Sequence, residues 1–159
     1  MQKITPCLWF DTEGEEAARL YTSIFPNSKI REITHYGSAG PRREGTVMTV
    51  SFELDGQQFV ALNGGPQFKF NEALSFQVDC ADQAEVDRYW NALTEGGEEG
   101  PCGWLKDKFG LSWQIVPQRL PELLRDPDRE KSQRVMTAML QMKKIQIDEL
   151  ERAAEGVTV

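Results

Sequence analysis

The chain has 159 residues, of which 40% are hydrophobic and 27% are charged, so it can build a packed core in one domain or in two small fused modules. Its 18 Lys and Arg against 25 Asp and Glu leave a net charge of −7, which argues against nucleic acid and anionic membranes as partners. There is no apolar run of membrane-spanning length and no signal-peptide pattern, and the three cysteines (Cys7, Cys80, Cys102) lack a CxxC spacing. We therefore expect a cytoplasmic protein with reduced thiols.

The first half of the chain predicts the element order β-α-β-β-β. Its strands are predicted over 4–10, 29–36, 46–54 and 58–63, with an amphipathic helix after the first strand. A capping box from Thr12 to Glu15 is predicted to begin that helix. Asp55-Gly56 is a hairpin turn signal between the last two strands.

The second half repeats this order, which indicates an internal duplication. Strand 73–80 leads to a helix that begins at Asp82, and an irregular strand within 98–103 precedes a hairpin. The hairpin is predicted to turn over 107–110, with Gly110 supplying a positive φ, and its second arm runs over 112–116. On that arm Gln114 faces away from Trp113.

After Pro117 the pattern becomes helical and rich in methionine. We predict a helical turn over 121–125, a helix over 128–142, and a last helix over 149–154 with Asp148 as its N-cap. This tail needs a surface to cover, either its own sheet or a second subunit. The predicted fold class is α+β, organised as modules 1–66 and 67–118 with a helical tail over 119–159, together one compact domain.

Candidate metal ligands and nucleotide-binding motifs are scarce in this sequence. His35 is the single histidine, and it reads more simply as a surface or edge residue than as a ligand. The loop over 37–40 lacks the Lys-Ser/Thr of a phosphate loop, and no glycine-rich turn follows a parallel strand. We predict neither a metal nor a cofactor.

Five other positions have two interpretations each. Cys102 could be a nucleophile or a small packing residue, and Asp107 a general base or a turn-capping carboxylate. Gln114 and Asn63 could bind a ligand or bridge neighbouring strands. Trp104 belongs with the other tryptophans, which are either core or the mouth of a cavity for a planar ligand.

Five segments carry a resemblance to a known family: 61–66 (ALNGGP), 85–90 (EVDRYW), 102–107 (CGWLKD), 110–117 (GLSWQIVP) and 139–145 (MLQMKKI). With them, nearly the whole chain resembles the PhnB-like branch of the vicinal-oxygen-chelate superfamily, which is often labelled 3-demethylubiquinone-9 3-methyltransferase. The resemblance implies that each module curls a four-stranded sheet into a half-open trough, and that two chains pair as a homodimer.

In metal-using members of the superfamily, the ligands come from the first and last strands of each module. Carried over, these positions fall near Thr5 and Ala73, at Val60 or Ala61, and at Gln114. Only Gln114 can coordinate, and one neutral amide does not hold a divalent cation. The resemblance thus implies a member without the glyoxalase, dioxygenase and thiol-transferase chemistries.

The resulting hypothesis is metal-free binding of a small, partly aromatic molecule in the trough. Trp104, Trp113 and Phe76 are expected to form the walls, and Asn63 and Gln114 to supply hydrogen bonds. The alternative is an enzyme, either of the methyltransferase-labelled kind or a metal-independent lyase or isomerase, that uses Asp107 or Cys102. A third hypothesis is a structural partner protein that docks through its methionine-rich tail.

Overall fold

The computed structural model describes residues 2–157 and divides into two compact units, one up to Phe70 and one from Asn71 onward. Each unit contains a four-stranded mixed sheet and a helix in the order β-α-β-β-β, so the predicted tandem arrangement is confirmed. The helical tail belongs to the second unit. No helix within residues 2–157 is both long enough and apolar enough to cross a bilayer.

The first unit consists of β1 (Cys7–Phe10), α1 (Gly14–Ile24), β2 (Lys29–His35), β3 (Val47–Leu54) and β4 (Gln57–Asn63). Its strand order is β1-β4-β3-β2, with β1 parallel to β4 and the other pairs antiparallel. Alternate residues of β3 are buried, and Phe52 lies near Tyr21 of α1 with ring centroids 6.4 Å apart. Asp55 and Gly56 both adopt positive φ, 49° and 81°, as the predicted tight hairpin requires.

The start of α1 differs from the prediction. Its N-cap is Glu13, which makes no side-chain cap, so the capping box over Thr12 to Glu15 is wrong. Instead, Asn63 Oδ1 accepts a hydrogen bond from the backbone N–H of Gly14 at 2.8 Å. A residue from the last strand thus satisfies the helix terminus, and a motif search within one helical turn cannot find such a partner.

The second unit repeats the architecture with β5 (Ser75–Cys80), α2 (Gln83–Thr94), β6 (Glu98–Glu99), β7 (Trp104–Lys106) and β8 (Ser112–Pro117). The strand order is β5-β8-β7-β6, the same as in the first unit. Asp82 caps α2 by accepting from the N–H of Glu85 at 2.9 Å, as predicted. The same helix buries Trp90 and Leu93 against the sheet.

The tail forms α3 (Arg119–Leu124), α4 (Arg129–Leu140) and α5 (Ile147–Glu155), which enclose a small core around Val135, Ile145 and Leu150. The last helix begins two residues earlier than predicted: Gln146 is its N-cap, and Asp148 lies inside its first turn.

The tail packs onto its own unit. The sequence left open whether the tail covers its own sheet or a second subunit. The N–H of Cys102 donates to Met142 O and the N–H of Gly103 to Lys143 O, both at 2.8 Å. Gln83 of α2 adds two more bonds, donating to Ile145 O and accepting from the N–H of Ile147. The tail therefore holds the loop before β7 in place.

Candidate functional site

The second sheet presents one face to α2 and leaves the other open. Leu105 pairs with Glu99 on one side and Trp113 on the other, and Trp90 of α2 donates its indole N–H to Glu99 Oε1 at 3.1 Å. This row therefore faces the helix. The alternating residues, among them Trp104 and Lys106, point to the open face.

A cavity of about 460 Å³ lies on this open face. The side chains that matter for its chemistry are Glu72, Glu98, Cys102, Trp104, Lys106 and Ser112. All of them belong to the second unit.

Strand register explains how polar residues from four strands come to share this open face. Ser75, Ser112, Lys106 and Glu98 form one row across β5, β8, β7 and β6. Gln114 lies in the next row, as the register partner of Trp104, and its Nε2 donates to Ser75 Oγ at 2.9 Å. The polar side chains of the open face thus adjoin one aromatic wall.

Ser112 is the unusual member of this site. It is 1% exposed, and within residues 2–157 its hydroxyl oxygen is the one buried side-chain N or O atom without a hydrogen-bond partner. An unsatisfied buried hydroxyl costs about 1–3 kcal/mol, so such groups are rare and call for an explanation. Sequence reasoning missed Ser112, although its position two residues before Gln114 places both on one face.

The charges around the cavity are predominantly negative. Lys106 Nζ forms an ion pair with Glu72, and the hydrogen bond from Lys106 holds the pKa of the Glu72 carboxyl below its usual value. The same hydrogen bond, which Lys106 donates to Glu72, and more weakly the charge of Glu98 raise the pKa of Lys106. Glu99 also borders the cavity, but its carboxylate accepts from Trp90 on the helix side, so two carboxylates, those of Glu72 and Glu98, face the one ammonium group.

Cys102 and Trp104 form the wall nearest the tail. Cys102 is half-buried and takes a φ of 57°, a left-handed conformation that costs a non-glycine residue free energy. The tail carbonyl of Met142 binds its N–H and thereby helps to hold this conformation. Trp104 is half-buried and borders the cavity.

Two residues predicted as cavity walls lie on the other face of the sheet. Trp113 is 3% exposed, and its ring packs against Phe76 with centroids 5.6 Å apart. Since Trp113 is the register partner of Leu105, it faces α2. The structure therefore brings Trp104 and Gln114 together and separates them from Trp113 and Phe76.

Asp107 is engaged within the hairpin. Its Oδ1 accepts from the N–H of Phe109 and of Leu111 at 2.9 and 3.1 Å, and its Oδ2 accepts from Trp113 Nε1 at 2.9 Å. The residue is 3% exposed. This geometry matches the interpretation of Asp107 as a turn-capping carboxylate. Cys102, the other candidate for a catalytic residue, borders the cavity.

Asn63 lies in the first unit and is 5% exposed. Besides capping Gly14, it donates from Nδ2 to Val47 O at 3.2 Å and accepts from Tyr36 Oη at its backbone carbonyl at 2.6 Å. Its side chain thus bridges strands and a helix start, one of its two sequence interpretations. It also borders a hollow of about 380 Å³ within that unit.

The residues at the family's metal-ligand positions do not fit a metal ion. Val60 and Gln114 each follow a hairpin glycine by four residues, and each pairs with the first strand of its module, so Val60 rather than Ala61 is the counterpart of Gln114. A valine offers no ligand atom, and His35 is exposed on β2. Across residues 2–157, no three His, Cys, Asp or Glu side chains are grouped so as to hold a metal.

Comparisons with known proteins agree on family and fold. Residues 2–116 match the model of a family described as 3-demethylubiquinone-9 3-methyltransferase. A Bacillus cereus PhnB protein, provisionally named for the same activity, is 37% identical, with a TM-score of 0.66 over 73% of this chain and 99% of its own. No curated protein matches.

Two more distant structures share the fold alone. Protein PA1353 from Pseudomonas aeruginosa is 20% identical, with a TM-score of 0.61 over 74% of this chain and 98% of its own. The fosfomycin resistance protein FosX from Listeria monocytogenes is 15% identical, with a TM-score of 0.52 over 77% of this chain and 97% of its own.

Proposed function

Because this chain belongs to the PhnB-like branch of the vicinal-oxygen-chelate superfamily, we propose that it binds a small, partly aromatic molecule, without a metal ion, in the open-face cavity of its second sheet. The observation that carries the proposal is the buried, unpartnered hydroxyl of Ser112 in that cavity. A volume of about 460 Å³ suits a small ligand, since such sites are typically about 300–1,000 Å³.

The ligand contacts follow from the open face. We assign the wall to Trp104 and the directional hydrogen bonds to Ser112 and Gln114, which lie in adjacent rows of β8. Phe76 and Trp113 support the sheet from the helix side. Asn63 lies in the first unit, where it caps the start of α1 and borders that unit's own hollow.

Ser112 provides the sharpest test, because removing its hydroxyl should stabilise the ligand-free protein but weaken ligand binding. Ser112→Ala removes an unsatisfied buried group, so the ligand-free variant is expected to be as stable as the wild type or more stable, by up to about 1 kcal/mol. Binding of an aromatic fragment, measured by calorimetry, is expected to weaken. Lower stability together with unchanged binding would show that the hydroxyl serves the fold.

The aromatic wall is tested by Trp104→Leu, with Trp9→Leu as the matched control. Both indoles are half-buried, but Trp9 lies in β1 of the first unit and does not border this cavity. We expect loss of a stacking contact to weaken fragment binding about fivefold to tenfold in the first variant only. Equal weakening in both variants would place the binding site elsewhere.

A second candidate function is a reaction in the same cavity. It is favoured by the description of the family model, which names a methyltransferase, and by the position of Cys102 at the cavity wall. Incubation with S-adenosylmethionine and a demethylated quinone, followed by mass spectrometry of the products, tests it. A methylated product that disappears in Cys102→Ala would favour the enzyme over the binding protein.

The homodimer and the metal-free state are parts of the same proposal. Native mass spectrometry after growth with added Zn, Ni, Mn, Fe and Co measures both. We expect a dimer. We also expect it to hold no stoichiometric metal, because the metal-ligand positions of the family are Val60 and Gln114 in this chain. One metal per subunit would refute the metal-free part, and a monomer would refute the dimer.

A further inference from the structure

The electrostatic character of the cavity suggests a ligand class that the family and the aromatic wall do not specify. Glu72 and Glu98 place their carboxylates on the open face at this cavity, whereas Lys106 is its one basic side chain among the described residues. At neutral pH these three groups sum to one excess negative charge. The whole chain adds to this field, since its net charge is −7.

The ammonium group of Lys106 already has a carboxylate partner. Its ammonium group forms an ion pair with Glu72, and Glu98 is its register partner across β6 and β7. An anionic ligand would have to displace Glu72 and then lie beside the carboxylate of Glu98. A cationic ligand leaves the Lys106–Glu72 pair intact and meets Glu98, whose charge that pair does not neutralise.

Two further features of the cavity favour a cationic ligand, and one of them favours a cation that carries N–H groups. Trp104 borders the cavity, and an indole attracts a positive charge that lies over its ring face within about 6 Å of the centroid. The hydroxyl of Ser112, buried and without a partner, can accept a hydrogen bond from an N–H group. This hydroxyl is an observation independent of the acidic residues, and it favours an amine that carries N–H over a quaternary ammonium.

We propose that the ligand of this cavity is a protonated amine with an apolar or aromatic body. The ammonium group lies near Glu98, donates to Ser112 Oγ, and the body packs on Trp104. This inference rests on the proposed function, because it specifies the ligand of the same cavity.

The test compares three probes of one shape: 1-naphthylmethylamine, the neutral 1-naphthalenemethanol and the anionic 1-naphthoate. Titration calorimetry on the full chain measures their dissociation constants. We expect the amine to bind about tenfold more tightly than the alcohol, and the carboxylate to bind most weakly. The preference for the amine is expected to shrink at an ionic strength of about 0.15 M relative to low salt.

Glu98→Gln and Glu95→Gln form a matched pair of variants. Each removes one negative charge, but Glu95 caps the C-terminus of α2 and does not border the cavity. Glu98→Gln is expected to weaken amine binding about threefold to fivefold and to leave the alcohol unchanged, whereas Glu95→Gln changes neither. If both variants lost amine affinity equally, the effect would come from the net charge of the protein, and the assignment of Glu98 as the contact of the ammonium group would be wrong.

The outcomes separate this inference from the proposed function. If the alcohol binds as tightly as the amine, and Trp104→Leu weakens both, the cavity binds aromatics and the inference of a cation is wrong. If the carboxylate binds most tightly, the inference is likewise wrong and Lys106 is the anchor. If no probe binds, both the inference and the proposed function are contradicted.

Discussion

The indole N–H of Trp113 donates to Asp107 Oδ2 at 2.9 Å, a bond between two side chains that are each 3% exposed. It connects β8 to the turn that precedes it. Because the other carboxylate oxygen accepts the N–H groups of Phe109 and Leu111, one buried aspartate holds the whole hairpin together. The same hairpin carries Lys106 and Ser112 into the cavity.

Asp107→Ala is therefore expected to destabilise the protein by about 3 kcal/mol, because three donors lose their acceptor in a buried site. Urea unfolding of Asp107→Ala, Trp113→Phe and the double variant measures the coupling between the two residues, expected at about 1 kcal/mol. Asp82→Ala is the control, since it removes only the exposed cap of α2 and costs about 1 kcal/mol. Equal costs for the two aspartates would contradict the structural role of Asp107.

The three cysteines are expected to react with iodoacetamide at different rates. Burial, and then the nearby charges of Glu85 and Asp79, raise the pKa of the Cys80 thiol to about 12, so almost no reactive thiolate exists at pH values near 8. Cys7 is exposed, because it lies on the face of β1 opposite the buried side chains of Leu8 and Phe10.

Peptide mass spectrometry over time should show Cys7 modified first and Cys80 modified only after denaturation. Cys102, half-buried at the cavity, is expected to react at an intermediate rate and to be protected by a bound ligand, while Cys7 is not. Protection of Cys7 without protection of Cys102 would place the ligand in the first unit.

Gly14→Ala is expected to destabilise the first unit, although alanine normally stabilises a helix by about 0.5–1 kcal/mol relative to glycine. A Cβ at this position would lie 2.6 Å from Asn63 Oδ1 and would push away the acceptor of its own N–H. The expected cost is about 1–2 kcal/mol in thermal unfolding. In an Asn63→Ala background the cost should be smaller, and full additivity would refute the contact.

Acid is expected to weaken the tail through Glu151. The hydrogen bond from Arg119 lowers the pKa of the Glu151 carboxyl, so this pair stabilises the folded state above the unfolded pKa. The contribution is lost as pH falls through the lower folded pKa, over roughly pH 5 to 3. Both side chains are about two-fifths exposed, 41% and 38%, so solvent screening keeps the effect small.

Urea midpoints of the wild type and Glu151→Gln across this range check the sign. The wild type should be the more stable protein at neutral pH, and the difference should vanish at the acid end. A difference that grows on acidification would contradict the assignment.

From the sequence alone one can predict the duplicated β-α-β-β-β order, the Asp55-Gly56 and Gly110 turns, the cap at Asp82 and the family. Each of these depends on periodicity or on residues a few positions apart, because strand alternation, helical spacing and turn conformation are local properties of the backbone. The alternation also correctly separated Gln114 from Trp113.

Which face of each strand is open depends on the packing of the whole chain and could not be predicted from the sequence. The choice between Trp104 and Trp113 as the cavity wall depends on where α2 docks, and the cap of Gly14 depends on Asn63, 49 residues away. The sequence likewise does not predict that the hydroxyl of Ser112 is buried without a hydrogen-bond partner. Whether a serine is solvated, paired or buried alone is set by the neighbours that folding brings to it.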